Sequence, residues 1–260
     1  MQQWKHPCAG GTRYLVDTLG FETHVRQIRE RRGVPMPASW YVRPYFYALR
    51  LDASKIRNSG ETLRFPSFVQ KKDYEFELVG KHLLPIKTAD LAEAIDHVAN
   101  HMVFCIMNDA SCRDLQDDDT QFPLGVSASK GIADKAFGPV RAYGHDLQMD
   151  GNGVFCIEME LVVNGSPRCQ SRFNSIYFKD PVTHNLCNWS FAEVITWFGR
   201  MNQGFEHGDL LGSGTIGNGC IAERTDIYPW LEHGDEIVMR AEGLGELRNT
   251  VEVVDMPSPK

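Results

Sequence analysis

An acidic pair set in an alternating segment is the feature that most constrains how this 260-residue chain folds. Residues 72–78 read Lys-Asp-Tyr-Glu-Phe-Glu-Leu, so Glu75 and Glu77 alternate with bulky apolar side chains. A period of two predicts a β-strand, because successive side chains of a strand point to opposite faces. The strand would direct both carboxylates to one side and its aromatic and aliphatic residues to the other.

Two like charges on one face of a strand are unfavourable unless a positive charge lies between them. A divalent cation such as Mg²⁺, which prefers oxygen ligands, would meet this need. The alternative is an exposed edge strand with an acidic, solvated face. Because an isolated pair of glutamates fits both interpretations, the choice depends on motifs elsewhere in the chain.

The composition is that of a soluble globular protein, with 42% hydrophobic and 23% charged residues. The length suffices for one sizeable domain, and we expect it over residues 14–260, after an irregular lead-in of residues 1–13. A net charge of −7 argues against nucleic acid and against an anionic membrane as partners, because both favour basic surfaces.

Seven cysteines are present, an odd number, and none forms a Cys-x-x-Cys pair. Several lie in apolar runs such as residues 103–106, which predicts reduced, buried thiols and not a disulfide framework or a zinc site. The N-terminal residues lack the apolar centre of a signal peptide, and no apolar run is long enough to span a bilayer. We therefore expect a cytoplasmic protein without a membrane partner.

Apolar spacing and capping signals predict three helices, over residues 14–32, 90–101 and 190–200. Continuous or alternating apolar segments predict strands over residues 102–107, 153–162, 168–178 and 235–253. The dipeptide Asn164-Gly165 predicts a tight turn between two of these strands. Strands outnumber helices, so the pattern favours a β-rich α+β domain.

A further carboxylate, Asp109, ends the apolar run and is well placed to be a third metal ligand. If the next turn is helical, Arg113 and Gln116 lie on the same face as Asp109 and can present a cation and an amide to an anionic substrate. The alternative is a surface ion pair between Arg113 and Asp109.

Several different short motifs follow one another along the chain. They occupy residues 73–77, 108–116, 123–125, 129–131, 138–139, 208–215 and 231–236. With these motifs the chain resembles the fumarylacetoacetate hydrolase family, over roughly residues 14–253. The resemblance implies a mixed β-sandwich roll with a few peripheral helices, and a homodimer.

The resemblance also implies a metal site. Glu75, Glu77 and Asp109 match three of the family's metal-binding carboxylates. The fourth is expected seven residues before the catalytic histidine, which is the spacing of Asp17 and His24. Ligands that are all oxygen atoms favour Mg²⁺, with Mn²⁺ or Ca²⁺ as alternatives.

The catalytic residues follow from the same motifs. His24 would be the general base and Glu223 the carboxylate that orients it. Lys130 resembles the lysine that faces the reacting oxygen, and Lys135 is the second candidate for this role.

Substrate contacts are implied for Arg113, Gln116 and Thr215. Two tyrosines near the substrate of the full-length hydrolase correspond to Leu19 and Thr120 here. The substrate pocket therefore differs, and we expect a substrate other than fumarylacetoacetate.

The implied activity is a metal-dependent cleavage of a carbon–carbon bond in a 1,3-diketone or acylpyruvate, in which water activated by His24 attacks the metal-chelated carbonyl. The first alternative is a decarboxylase, tautomerase, hydratase or dehydratase that acts on a 2-oxo acid through a metal-bound enolate. The second is a binding protein that keeps the fold without catalysis. In the first two cases the partner is a small dicarbonyl or 2-oxo acid.

Overall fold

The computed structural model of the protein describes residues 13–121 and 125–257. The predicted lead-in, except for residue 13, and two residues of the Pro-Leu-Gly motif at 123–125 lie outside the described residues. None of the helices within the described ranges is both long and apolar enough to cross a membrane.

Short strands make up most of the regular structure. They are β1 (Arg13–Thr18), β2 (Phe46–Leu51), β3 (Ile56–Asn58), β4 (Thr62–Pro66), β5 (Lys72–Asp73), β6 (Phe76–His82), β7 (Met102–Asp109), β8 (Ser111–Cys112), β9 (Lys135–Phe137), β10 (Ala142–Tyr143), β11 (Glu158–Val163), β12 (Ser166–Arg172), β13 (Phe178–Lys179), β14 (Leu186–Cys187), β15 (Leu210–Gly212), β16 (Glu236–Ala241) and β17 (Gly245–Val254). The α-helices are α1 (Glu22–Arg31), α2 (Leu91–His101), α3 (Arg113–Asp119), α4 (Ser127–Ile132) and α5 (Phe191–Arg200).

Two mixed sheets contain most of these strands. The larger has eight strands in the order β2-β1-β15-β6-β7-β9-β3, with β10 paired to β7. The smaller has five strands in the order β12-β11-β16-β17-β4. Parallel and antiparallel pairs occur in both, as in the parallel pair β1–β15 and the antiparallel pair β6–β7. This arrangement confirms the predicted β-rich α+β class.

The second half of the acidic segment lies at the centre of the larger sheet, since β6 begins at Phe76 and includes Glu77, whereas Glu75 directly precedes it. Strand β6 runs between β15 and β7, so the alternative of an exposed edge strand is wrong. Tyr74, Phe76 and Leu78 pack in the main hydrophobic core, as the alternation predicts. The neighbouring strand β7 is buried along its whole length and delivers Asp109 at its end.

Local signals place two of the helices and one hairpin correctly. The Asp90 side chain accepts the backbone N–H of Glu93 at 3.0 Å and so caps α2, and Ser190 caps α5 in the same way. Asn164 and Gly165 have φ angles of 51° and 74° and join β11 to β12, as a tight hairpin turn requires.

The predicted helix over residues 14–32 is wrong in its first half. Residues 13–18 form β1, which pairs with β2 on one side and β15 on the other, and α1 begins only at Glu22. Leu15 is fully buried in a core cluster of the larger sheet, and this long-range pairing outweighs the helical spacing. Other boundaries shift less, since β11 begins at Glu158 and β12 ends at Arg172.

Candidate active site

A cavity of about 300 Å³ brings the predicted site residues together. It lies between α1, β2, the start of β6 and the helices that follow β7. The predicted residues on its wall are Asp17, His24, Glu75, Glu77, Arg113, Gln116, Lys130 and Thr215, together with Leu19 and Thr120. Asp109 and Glu223 lie behind this wall and contact Lys130 and His24, respectively.

Three carboxylates from three different strands meet at one end of the cavity. Asp17, Glu77 and Asp109 each offer an oxygen atom, and these atoms all lie within 4.8 Å of one another. Their strands, β1, β6 and β7, belong to one sheet, with β15 inserted between the first two. Residues far apart in the chain thus form one acidic group.

The glycine of β15 makes this approach possible. Gly212 pairs with Asp17 on one side and with Val79 on the other. A Cβ atom at Gly212 would lie 2.2 Å from the Asp17 Oδ1 atom, much closer than van der Waals contact. The absence of a side chain at this position therefore leaves the space that the Asp17 carboxylate occupies.

The cluster of three carboxylates suits a divalent cation. Within the described ranges, the buried Oε2 atom of Glu77 has no hydrogen-bond partner. Burial and, to a smaller extent, the charge of Asp109 raise the pKa of Asp17 to about 7. Burial and the charges of Asp17 and Asp109 raise the pKa of Glu77 well above its usual value. A cation among these oxygen atoms would relieve the repulsion, and oxygen ligands suit Mg²⁺, Mn²⁺ or Ca²⁺.

Glu75 does not belong to this three-membered group. Its Oε1 atom accepts a hydrogen bond from Arg113 Nη2 at 2.6 Å, and its Oε2 atom contacts the Lys130 ammonium. Burial favours the protonated acid, but Arg113 and Lys130 outweigh this effect and hold the pKa of Glu75 well below its usual value. Its role as a metal ligand stays a prediction, and that role requires Lys130 to move aside.

Two lysines contact the acidic group. Lys130 contacts Asp109 and donates to the Ser111 hydroxyl at 2.8 Å. Although burial lowers it, the charges of Asp109 and Glu75 raise the pKa of Lys130, so the amine stays protonated. Lys135, the second candidate, also contacts Asp109 and donates to the Ala110 carbonyl at 2.8 Å. Of the two, only Lys130 borders the cavity.

A buried histidine–glutamate pair lies on another side of the cavity. His24 Nδ1 is 3.2 Å from Glu223 Oε1. The glutamate is held in place, because its two oxygen atoms accept the backbone N–H groups of Asn218 at 3.1 Å and Cys220 at 2.9 Å. Because Nδ1 faces the carboxylate, Nε2 is the ring nitrogen left to act as the base.

A hydrogen bond joins Arg113 to Gln116, but the prediction that both lie on one helical face with Asp109 is wrong. Asp109 ends a strand and α3 begins at Arg113, so the i+4 spacing from Asp109 does not apply. The alternative ion pair with Asp109 is absent as well, because Arg113 pairs with Asp73 and Glu75. Arg113 Nη1 donates to Gln116 Oε1 at 2.7 Å.

The Thr215 hydroxyl donates to Glu77 Oε1 at 3.1 Å. Its side chain thus contacts a candidate metal ligand while lining the cavity. A substrate carboxylate could reach this hydroxyl only by competing with Glu77.

Sequence reasoning missed two residues of the site. Tyr47 lines the cavity and donates its hydroxyl to Asp109 Oδ2 at 2.7 Å. Its place follows from the register of β1 and β2, which pairs Tyr47 with Asp17. Asp73 is fully buried and accepts Arg113 Nε at 2.8 Å. Its position two residues before Glu75 in the acidic motif was the only signal for it in the sequence.

Comparison with known proteins gives a consistent result. The family model "Fumarylacetoacetate (FAA) hydrolase C-terminal" matches residues 14–252. None of the curated proteins matches the chain. Among solved structures, fumarylpyruvate hydrolase from Pseudomonas aeruginosa, in complex with Mn²⁺ and pyruvate, has a TM-score of 0.63 and 20% identity, over 94% of this chain and 90% of that one.

Two other solved structures show the same fold. The 5-carboxymethyl-2-hydroxymuconate delta-isomerase from Mycobacterium smegmatis has a TM-score of 0.63 and 21% identity, over 93% of this chain and 77% of that chain. The fumarylacetoacetate hydrolase from Exiguobacterium antarcticum has a TM-score of 0.62 and 22% identity, over 93% and 76%. These similarities confirm the predicted mixed β-sandwich roll.

Proposed function

Since the chain belongs to the fumarylacetoacetate hydrolase family, we propose that it is a metal-dependent hydrolase that cleaves a carbon–carbon bond of a 1,3-diketone or acylpyruvate. The observation that carries this proposal is that His24, held by Glu223, borders the same cavity as Asp17 and Glu77. A base and a metal site that face one small space are the two parts that hydrolysis of a chelating dicarbonyl needs.

We assign the cation to Asp17, Glu77 and Asp109, with Glu75 as the fourth ligand and Mg²⁺ as the expected ion. When bound, it supplies Lewis-acid stabilisation of negative charge on substrate oxygen atoms. The fumarylpyruvate hydrolase of the same fold holds Mn²⁺, which supports a divalent metal.

His24 supplies the base. Nε2 takes a proton from water, and Glu223 stabilises the imidazolium that forms. The resulting hydroxide attacks the carbonyl, and cleavage of the adjacent carbon–carbon bond expels the other fragment as an enolate. Return of the proton to the enolate carbon yields a carboxylic acid and a ketone, and for an acylpyruvate this ketone is itself a 2-oxo acid.

The charges of the site match a divalent cation. With Asp73 included, five buried carboxylates face three buried cations, Arg113, Lys130 and Lys135, which leaves two negative charges. A divalent cation balances these two charges, so an anionic substrate would meet no net negative charge. Lys130, at the cavity wall, is placed to stabilise the enolate oxygen once it releases Glu75.

The cavity residues that do not bind the metal determine which substrate fits. Arg113 and Gln116 offer a guanidinium and an amide for a substrate carboxylate. Leu19 and Thr120 correspond to two tyrosines of the full-length hydrolase, so these two cavity positions carry no hydroxyphenyl group here. We infer that the substrate is not fumarylacetoacetate.

A second candidate follows from the isomerase of the same fold. Decarboxylation, tautomerisation, hydration or dehydration of a 2-oxo acid through an enolate would use the same metal site and Lys130. Such reactions do not need a water molecule activated by His24 and Glu223. The buried pair therefore favours hydrolysis.

Turnover of an acylpyruvate panel tests the proposal. Loss of the enol–diketone absorbance would be followed after chelation and again with added Mg²⁺ or Mn²⁺, and oxaloacetate would report decarboxylation and tautomerisation. Metal-dependent release of two acids supports the hydrolase. Release of CO₂ or keto–enol conversion alone supports the second candidate.

The homodimer, the cytoplasmic location and the single catalytic domain over residues 14–260 remain predictions. Light scattering coupled to size-exclusion chromatography would measure the oligomeric state.

A further inference from the structure

A second group of metal-ligand side chains lies behind the cavity wall. Within the described ranges, His24, Cys220 and Glu223 are all buried, and their ligand atoms lie within 4.8 Å of one another. From this geometry we propose that the group binds a borderline cation of the Zn²⁺ or Co²⁺ type, separately from the carboxylate site, and thereby blocks His24.

The distances match a tetrahedral site. Cys220 Sγ lies 3.9 Å from His24 Nδ1, and His24 Nδ1 lies 3.2 Å from Glu223 Oε1. With Zn–S bonds of about 2.3 Å and Zn–N or Zn–O bonds of about 2.0–2.2 Å, ligand atoms of a tetrahedral site are about 3.4–3.6 Å apart. These two separations are therefore within a few tenths of an ångström of the tetrahedral values, and Cys220 Sγ and the Glu223 oxygen lie within 4.8 Å of each other.

The backbone already holds two of the ligands together. Cys220 precedes the 3₁₀ turn Ile221–Glu223, and three residues per turn place positions 220 and 223 on the same side. The Cys220 N–H bond to Glu223 Oε2 at 2.9 Å fixes the carboxylate relative to the thiol. The third ligand comes from α1, whose Arg31 donates to the Glu223 carbonyl.

The two groups select different cations. Asp17, Glu77 and Asp109 offer only oxygen, which suits Mg²⁺, whereas the second group offers nitrogen, sulfur and oxygen. Thiolate and imidazole ligands favour Zn²⁺ and Co²⁺ over Mg²⁺. The thiol loses its proton on binding, as a metal-bound cysteine must.

Binding at this site would interrupt the histidine–glutamate pair. A cation on His24 Nδ1 would lie between this nitrogen and the Glu223 carboxylate and would lower the basicity of Nε2. Zn²⁺ would then inhibit an enzyme that Mg²⁺ activates. Only this inhibition depends on the proposed function, because binding can be observed without turnover.

The experiment uses Co²⁺ as the probe. The full chain is stripped of metal, its carboxylate site is saturated with Mg²⁺, and Co²⁺ is added while the absorbance is recorded. A thiolate–Co²⁺ bond gives a charge-transfer band in the near ultraviolet, which oxygen ligands do not give. We expect the band to saturate at one Co²⁺ per chain.

Matched variants test whether the band arises from the Cys220 thiolate. Cys220→Ser and Cys220→Ala should abolish it, and two replacements guard against loss of folding in one of them, which circular dichroism would reveal. Cys105→Ala, at a buried thiol in a separate core cluster, should keep the band unchanged. His24→Ala should weaken Co²⁺ binding at least tenfold.

Absence of the band in the wild-type chain at saturating Co²⁺ overturns the proposal. So does a band that persists in a folded Cys220 variant. If the band is present but Zn²⁺ leaves turnover unchanged, the site stands and its inhibitory role is wrong.

Discussion

The buried carboxylate of Asp73 accepts a hydrogen bond from the backbone N–H of Ile221 at 2.7 Å. The same carboxylate accepts the N–H of Ala222 at 3.0 Å and Arg113 Nε at 2.8 Å. The Asp73 side chain thus joins Arg113, which lines the cavity, to the turn that carries Glu223. The positions of Arg113 and of the His24–Glu223 pair both depend on this carboxylate.

We expect Asp73→Asn to destabilise the fold, because it leaves the Arg113 guanidinium with one carboxylate fewer in a buried setting. Breaking a buried ion pair typically costs about 3–5 kcal/mol. Urea unfolding monitored by fluorescence would measure the loss. Asp118→Asn, at an exposed position of α3, should change the free energy of unfolding by less than about 0.5 kcal/mol. Equal effects of the two substitutions would contradict the role of Asp73.

Glu77→Gln should remove most of the divalent-cation affinity, because it takes one of the three converging carboxylates away. In the wild-type chain, Mg²⁺ at 100 times its Kd should raise the free energy of unfolding by about 2.7 kcal/mol. The variant should lose this gain. It should be no less stable than the wild type without metal, since the substitution also removes repulsion. Paired urea titrations with and without Mg²⁺ measure both effects, and undiminished stabilisation by Mg²⁺ in the variant would rule out this metal site.

Gly212→Ala should weaken cation binding about tenfold or more, although it adds only a methyl group. The new Cβ would lie 2.2 Å from Asp17 Oδ1 and would push the carboxylate away from the other two. Isothermal titration with Mn²⁺ would measure the affinity. Gly151→Ala is the matched control, since no atom lies within 4 Å of its added Cβ. The explanation fails if both variants bind Mn²⁺ like the wild type.

His24→Ala should lower kcat about 10²–10⁴-fold, the usual range for a general base, while Mn²⁺ binding is retained. Glu223→Gln should lower kcat by a smaller factor, since the base remains but loses the carboxylate that orients it. Steady-state kinetics on whichever acylpyruvate is turned over would give both values. His184→Gln, at an exposed histidine, serves as the control. Near wild-type turnover by His24→Ala with metal bound would disprove its role.

Stability should fall in mild acid because of two buried histidines. His82 Nδ1 and His97 Nε2 lie 3.0 Å apart. Burial, and then the charge of its neighbour, lowers the pKa of His82 to about 3, and burial lowers the pKa of His97 to about 4. The unfolded chain binds these protons near pH 6.5, so stability is full above about pH 6.5 and decreases as the pH falls towards about 4.

Each histidine can contribute at most about 1.4 kcal/mol per pH unit across this window. Urea unfolding at pH 7 and pH 5 would measure the decrease. The double variant His82→Phe/His97→Leu should show a much weaker pH dependence. An unchanged dependence would mean that other groups are responsible.

Local interactions explain what the sequence alone determined. The alternation around Glu75 and Glu77 requires only neighbouring residues, and so do the cap of α2 at Asp90 and the Asn164-Gly165 turn. Each feature is confirmed because its cause lies within a few residues of the chain. The family motifs likewise named the residues of the cavity, and the family match confirms the resemblance.

The tertiary structure decided how these residues are paired. Asp17 lies on a strand and not on the predicted helix, because β1 pairs with β2, 28 to 38 residues away, and with β15, 195 residues away. Arg113 and Lys130 contact Glu75, which separates it from the other carboxylates, and Cys220 reaches His24 across 196 positions. Strand register and the competition among buried charges set these contacts. Neither leaves a periodic signal in the sequence, so only the folded chain shows which carboxylates converge.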